Sequence, residues 1–177
     1  MTHRKLIIFE FSSIIFLFIL GTFLHFTYHL SQNNLFVGLF SSVNESTWEH
    51  LKLFFFPMLV TSIIGYFLFY KDYPNYLCIK MRSTILGLVF IVVFFYTYTG
   101  VFGTNFTILD IGSFFAAGIL SYYYSYKKLI DKTNNRVCCT KGAMLGFFIL
   151  LICFLVFTFF PPKIGLFIDP ITHTYGI

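Results

Sequence analysis

Two histidines four residues apart, His25 and His29 in HFTYH, close the first long apolar run of the chain. Residues at this spacing share one face of a helix. The two imidazoles therefore suit a shared metal or a haem, or else they mark the water boundary. The stretch SVNESTWEH adds Glu45, Ser46, Glu49 and His50, and Asp110, Asp169 and His173 follow later. Imidazole nitrogens with carboxylate oxygens are ligand chemistry that zinc accepts, with one position left for water at a catalytic site. Such a water, its pKa lowered, attacks an ester or amide while a carboxylate such as Glu49 shuttles protons. The candidate metal ligands are His25, His29, His50 and His173. The candidate catalytic residues are Glu49, Ser46 and Asp110. Two plainer readings stand beside these: histidines that hydrogen-bond at an interface, and carboxylates that favour helix N-termini.

The elements that must position these residues are membrane helices. The chain has 177 residues, of which 58% are hydrophobic, 23% aromatic and 11% charged, where a soluble domain carries about 25% charged residues. With a mean hydropathy of +0.82, composition excludes an ordinary soluble domain. The net charge of +5 is scattered in loops and does not point to nucleic acid. MTHRK and the apolar run after it resemble a signal peptide. No small-x-small cleavage site follows, and the run is long enough to span, so it is read as a retained first span. Cys78, Cys138 and Cys139 fall in or beside loops, and Cys153 falls inside a span. Reduced thiols are expected rather than a disulfide framework, with palmitoylation of adjacent Cys138 and Cys139 in a eukaryote as the alternative.

Five stretches are apolar over the roughly 20 residues that a span requires: about 6–29, 51–70, 83–99, 107–124 and 142–160. Lipid offers backbone groups no partner, so each is expected to be helical. Pro57 is expected to kink the second, and Glu10 to sit at the headgroup level of the first. Ten of the twelve Lys and Arg residues fall on one side of this arrangement, leaving Lys52 and Lys163 on the other. The positive-inside rule then puts the N-terminus in the cytoplasm and the C-terminus outside. His25, His29, Glu45, Glu49, His50, Asp110, Asp169 and His173 share the outer rim. The expected fold is an all-α polytopic bundle of five transmembrane helices, N-in and C-out, forming one integral membrane domain over residues 1–177.

The segments at that rim carry their own signals. The apolar residues 35–40 are too few to span and are expected to lie in the interface or dip in as a re-entrant turn. Ser46-x-x-Glu49 and Thr107-x-x-Asp110 have the form of capping boxes at the starts of the second and fourth helices. Glu45 and His50 are not explained by capping. Trp48, the only tryptophan, fits an aromatic belt. Tyr96 and Tyr98 in YTYTG line a polar pocket or anchor the third helix at the interface. Pro161 and Pro162 stop the last helix. The apolar segment 161–177, with its turn-favouring Asp169-Pro170, is expected to fold back over the rim.

VNESTWEHLKLFFFPM, YTYTG and IGLFIDPITHTYGI together resemble a family of small multi-pass bacterial membrane proteins of unknown function, along nearly the whole chain. That resemblance implies a prokaryotic plasma membrane and five or so helices, but no activity. Ser46-x3-His50, Asp110 and His25-x3-His29 are similar to the three motif elements of the CREST superfamily, which includes the alkaline ceramidases and adiponectin-receptor-like proteins. The similarity implies zinc held by three histidines, with Ser and Asp assisting. The His pair comes last in that superfamily and first here, and this chain has two spans fewer.

Three functional readings follow. One is a metal-dependent membrane hydrolase holding zinc and facing the outer leaflet, where it acts on a lipid or another amphipathic ester or amide. The second is a non-enzymatic small-ligand binder, transporter subunit or partner in a membrane complex. The third is a redox protein with a b-type haem on two histidines such as His25 and His50. No CxxCH is present, which excludes c-type attachment.

Overall fold

The structure, a computed structural model, describes residues 2–131 and 140–177. Lys132, Arg136, Cys138 and Cys139 lie outside the described residues. In chain order the elements are α1 (Thr2–Leu30), α2 (Leu35–Gly38), α3 (Thr47–Phe69), α4 (Tyr76–Phe102), α5 (Thr107–Ile130) and α6 (Thr140–Phe159), followed by a 3-10 turn at Gly165–Phe167. Among the described residues, pairing of the β kind is limited to an isolated antiparallel bridge between Ile168 and Tyr175. Four helices, α1, α3, α4 and α6, are long and apolar enough to cross a membrane. Phe11, Ile19, Phe67, Val93 and Phe148 are among the large apolar side chains left exposed on their outer faces. Water would penalise such a surface and hydrocarbon would not, so the four helices suggest a membrane-embedded protein.

The fifth expected span is not among these four. α5 is helical over 24 residues, but it is not among the helices apolar enough to cross on composition alone. The reason lies in its buried face, which carries Ser113, Ala117, Ser121 and Ser125 at helical spacing. Ile108, Ile111 and Ile119 are exposed. The small polar side chains let α5 pack closely on α4 and α1, at the expense of hydropathy.

Charges read from sequence as loop or headgroup residues are also corrected. Glu10 is buried rather than at the surface. Its Oε2 lies 2.5 Å from Lys80 Nζ, and Ser125 Oγ donates to the same oxygen at 2.6 Å. Lys80 itself sits 4.3 Å from the centre of the Tyr122 ring. Lys52, expected in an outer loop, is equally buried beside Glu49. A lone charge in an apolar bundle is costly, so each has been matched with an opposite one. Cys78, expected to be a reduced thiol, is buried and disulfide-bonded, whereas Cys153 is free.

α3 continues as one helix across Pro57. The missing N–H of Pro57 leaves the Leu53 carbonyl without its helical partner. α1 closes on that carbonyl at Gly21, where an added Cβ would lie 2.7 Å from Leu53 O and 2.6 Å from the Phe114 ring. The backbone oxygen cannot swing aside as a side chain can. Gly21→Ala is therefore expected to lower stability by about 1–3 kcal/mol through overpacking, seen as a lower Tm in detergent. Gly100→Ala, where a Cβ would meet nothing within 4 Å, is the control and is expected to leave Tm unchanged or slightly raised. Equal Tm values for the two variants would contradict the close α1–α3 approach.

Candidate metal centre

The candidate site is assembled from the end of α1, the start of α3 and the loop between them. Beyond Leu30 the chain reverses through Gln32 and Asn33, both with positive φ. Asn34 then caps the short α2, its Oδ1 accepting from Phe36 N at 2.9 Å. The returning loop is stitched onto α1 by Ser41, whose Oγ donates to Leu24 O and accepts from Tyr28 N. From the other side it is held by a buried ion pair. Lys52 Nζ lies 2.5 Å from Glu49 Oε2 and donates to Gly38 O at 2.8 Å and Thr158 Oγ1 at 3.0 Å. Glu49 Oε2 in turn accepts from Val43 N at 3.1 Å.

This scaffold brings His25, Glu45 and His50 together, with one ligand atom from each lying within 4.8 Å of the others. The two imidazole rings are 5.2 Å apart, tilted by 41°. Ser42 Oγ is 3.4 Å from His25 Nδ1. His50 Nδ1 is 3.0 Å from Ser46 O. A carbonyl only accepts, so Nδ1 carries the proton and donates. His50 Nε2 then faces Glu45 Oε2 at 3.4 Å. Nitrogen and carboxylate attract only with a cation between them, either a proton on Nε2 or a metal ion. The hydrogen bond from His50 holds the Glu45 carboxyl below the usual carboxylate range, outweighing burial, with the charges of His50 and His25 adding to it.

The other candidates lie elsewhere. His29 is exposed and packs against its neighbour Tyr28. Four residues along a helix is a rise of about 6 Å, which carries His29 past the site. His173 is exposed in the tail, with a φ of 57°. Glu49 is committed to Lys52. Ser46 caps α3, accepting from Glu49 N at 3.3 Å. The reciprocal arm of that capping box is absent, because Ser46 N donates to Asn44 Oδ1. The second box does not form: the N-cap of α5 is Phe106. Asp110 instead accepts from the Tyr98 hydroxyl. The residue that sequence reasoning left out of the ligand set is Glu45. Its one signal was the absence of any capping role for a carboxylate next to the Ser46 cap.

The C-terminal segment folds back over this rim. Phe167 is buried against Trp48, with ring centres 4.8 Å apart. Asn44 Nδ2 donates to Gly176 O at 2.9 Å. Asp169 Oδ1 accepts from Ile171 N and Thr172 N, and Oδ2 from Glu45 N. Burial pushes the Asp169 carboxyl up, but these N–H groups outweigh it and hold the group below its ordinary value. A depressed carboxyl contributes stability above its unfolded pKa, near 4, and loses it as pH falls through the folded value. The tail is therefore expected to resist limited proteolysis from about pH 5 to 7 and to become cleavable only below about pH 4. Release near pH 6 would mean that histidines, not the Asp169 carboxylate, hold it.

No curated protein and no solved structure matches the chain. Over residues 2–177 it matches a family of unknown function, DUF6512, and the chain belongs to that family.

Proposed function

We propose that the protein is a five-span, N-in and C-out membrane protein of a prokaryotic plasma membrane. In this reading His25, Glu45 and His50 hold a zinc ion at its outer end, and the zinc site hydrolyses an ester or amide of an amphipathic substrate at the outer leaflet. The observation that carries the reading is the meeting of three ligand atoms from α1, the α2–α3 loop and α3 within 4.8 Å. Two histidines with one carboxylate form a ligand set that zinc hydrolases use, with a further position free for water. Metal-bound water of lowered pKa is the nucleophile such a centre supplies. With Glu49 neutralised by Lys52, the carboxylate we assign to accept the proton is Asp110, to which Tyr98 donates. The CREST-like pattern of Ser, Asp and His is kept here only as a chemical analogy, with Ser46 serving as a helix cap. The imidazoles stand too close to admit a macrocycle between them, which favours zinc over a shared haem. The rival reading is a non-enzymatic protein in which Glu45 and protonated His50 form a plain ion pair across their 3.4 Å separation.

The membrane topology has its own support. α4 and α5 are joined by residues 103–106 alone, and α5 is long enough, at about 36 Å, to return across a bilayer. Its polar face turns inward and its apolar face outward, as a helix inside a bundle can afford. With Lys52 and Lys80 buried in pairs, nine of the other ten basic residues lie on the N-terminal side. The disulfide at Cys78, on that same side, pulls the other way, since disulfides persist in oxidising compartments.

Two measurements decide these points. Reporters active only in the cytoplasm are expected to work when fused after Asn135 and to fail after Asn34; the reverse pattern would overturn the orientation. Metal-stripped protein in detergent is expected to bind one zinc per chain in calorimetric titration. His25→Ala and His50→Ala should abolish binding, while His29→Ala and His173→Ala keep it. Ligand histidines must be neutral, so occupancy should fall as pH drops through about 6.5. Absence of zinc binding in the folded wild type, or equal binding in all four variants, would leave the plain ion pair.

A further inference from the structure

We infer that the C-terminal hairpin is a strap for the outer site and that Asp169 is the positioning residue that sets Glu45 between His25 and His50. The inference rests on the zinc reading and names what holds its one carboxylate ligand in place. His25 and His50 ride on long helices, whose packing fixes them. Glu45 does not. It lies in the loop before α3, with its side chain 41% exposed, so its position depends on what grips the backbone around it.

Beside the Asn44 side chain, which donates to Gly176 O in the tail and accepts from Ser46 N, two contacts grip the backbone N–H groups on either side of it. Val43 N is bound by Glu49, on the inner side. On the outer side Glu45 N donates to Asp169 Oδ2 at 3.4 Å, across 124 residues of sequence. Asp169 is itself buried and locked by its own turn: Oδ1 accepts from Ile171 N at 2.7 Å and Thr172 N at 3.1 Å. Its backbone N–H donates to Thr174 O, and its carbonyl accepts from His173 N. The two oxygens thus have separate tasks, Oδ1 shaping the hairpin and Oδ2 reaching the ligand loop. The three N–H groups offset its negative charge, so Asp169 can stand near Glu45 without displacing it from His50. Outer partners of metal ligands are worth about 10–100-fold in affinity when lost.

The division between the oxygens provides the test. In Asp169→Asn the amide oxygen keeps the turn, while the NH2 group that replaces Oδ2 presents a donor to the Glu45 N–H. Amide hydrogen exchange at Glu45 is expected to accelerate, while Ile171, Thr172 and the α3 and α4 amides stay protected. Zinc affinity should fall by about ten-fold or more with stoichiometry unchanged. Asp169→Ala removes both tasks; exchange should then rise at Ile171 and Thr172 as well, and affinity should fall at least as far. Unchanged exchange at Glu45 in Asp169→Asn would overturn the strap whether or not zinc binds. Faster exchange with unchanged zinc affinity would overturn the positioning role. Faster exchange in a protein whose wild type binds no zinc would support the strap and refute the zinc reading alone.

Discussion

The buried pair of Glu49 and Lys52 is the contact on which the half of the molecule holding the candidate site depends. Neither charge could be left alone among apolar helices, because an uncompensated buried ion costs several kcal/mol. Their union, one turn apart on α3, leaves further hydrogen-bonding capacity on both groups, and three other elements use it. Gly38 O at the end of α2, Val43 N in the loop and Thr158 on α6 all converge on the pair. Once the loop is pinned there, Ser42 lies beside His25 and Glu45 beside His50. Trp48 is left to stack on Phe154 and Phe167. A second pair, Glu10 with Lys80, plays the corresponding part at the other end of the bundle, tying α1 to α4 and, through Ser125, to α5. Such pairs add little net stability compared with apolar packing, but they penalise any arrangement that separates the partners.

The same constraint explains the faces of the helices. Interior polar groups have to find partners inside the protein, so hydroxyls recur where helices meet. Thr61 Oγ1 and the Tyr122 hydroxyl are 2.7 Å apart across α3 and α5, and Ser83 donates to Ser121 O between α4 and α5. Close approach supplies the rest of the cohesion, since lipid tails offer no hydrophobic drive between helices. Gly21 against Leu53 O is the clearest instance.

The helices were legible in the sequence because a long apolar run is the same signal whatever it packs against. α5 is expected as a span from its apolar length, and its serines, which lower its hydropathy, mark the face that packs. Glu10, Lys52 and Lys80 were misplaced for a related reason. Counting charges treats each as a marker of water, and only the partner, 70 residues away for Glu10 and Lys80, reveals that it is inside. At the rim, depth was legible and lateral position was not. His25 and His50 are both expected at this level, and helical spacing adds His29 beside His25, whereas the ring that lies against His25 is that of His50 on α3. Glu45 and Asp169 meet through a loop and a tail, where no periodicity exists to announce the contact.

The coordination shell of bound zinc tests the candidate site most directly. X-ray absorption at the zinc edge, on protein loaded with one equivalent, reports ligand type and distance without reference to any activity. A site built from His25, His50 and Glu45 gives imidazole scattering with nitrogen or oxygen neighbours at about 2.0–2.2 Å and no sulfur shell near 2.3 Å. In His50→Ala, which should no longer bind zinc, this imidazole shell should be absent. A sulfur shell, or a shell of oxygens without imidazole, would show that zinc binds elsewhere and that the three side chains at the rim form only an ion pair at the water boundary.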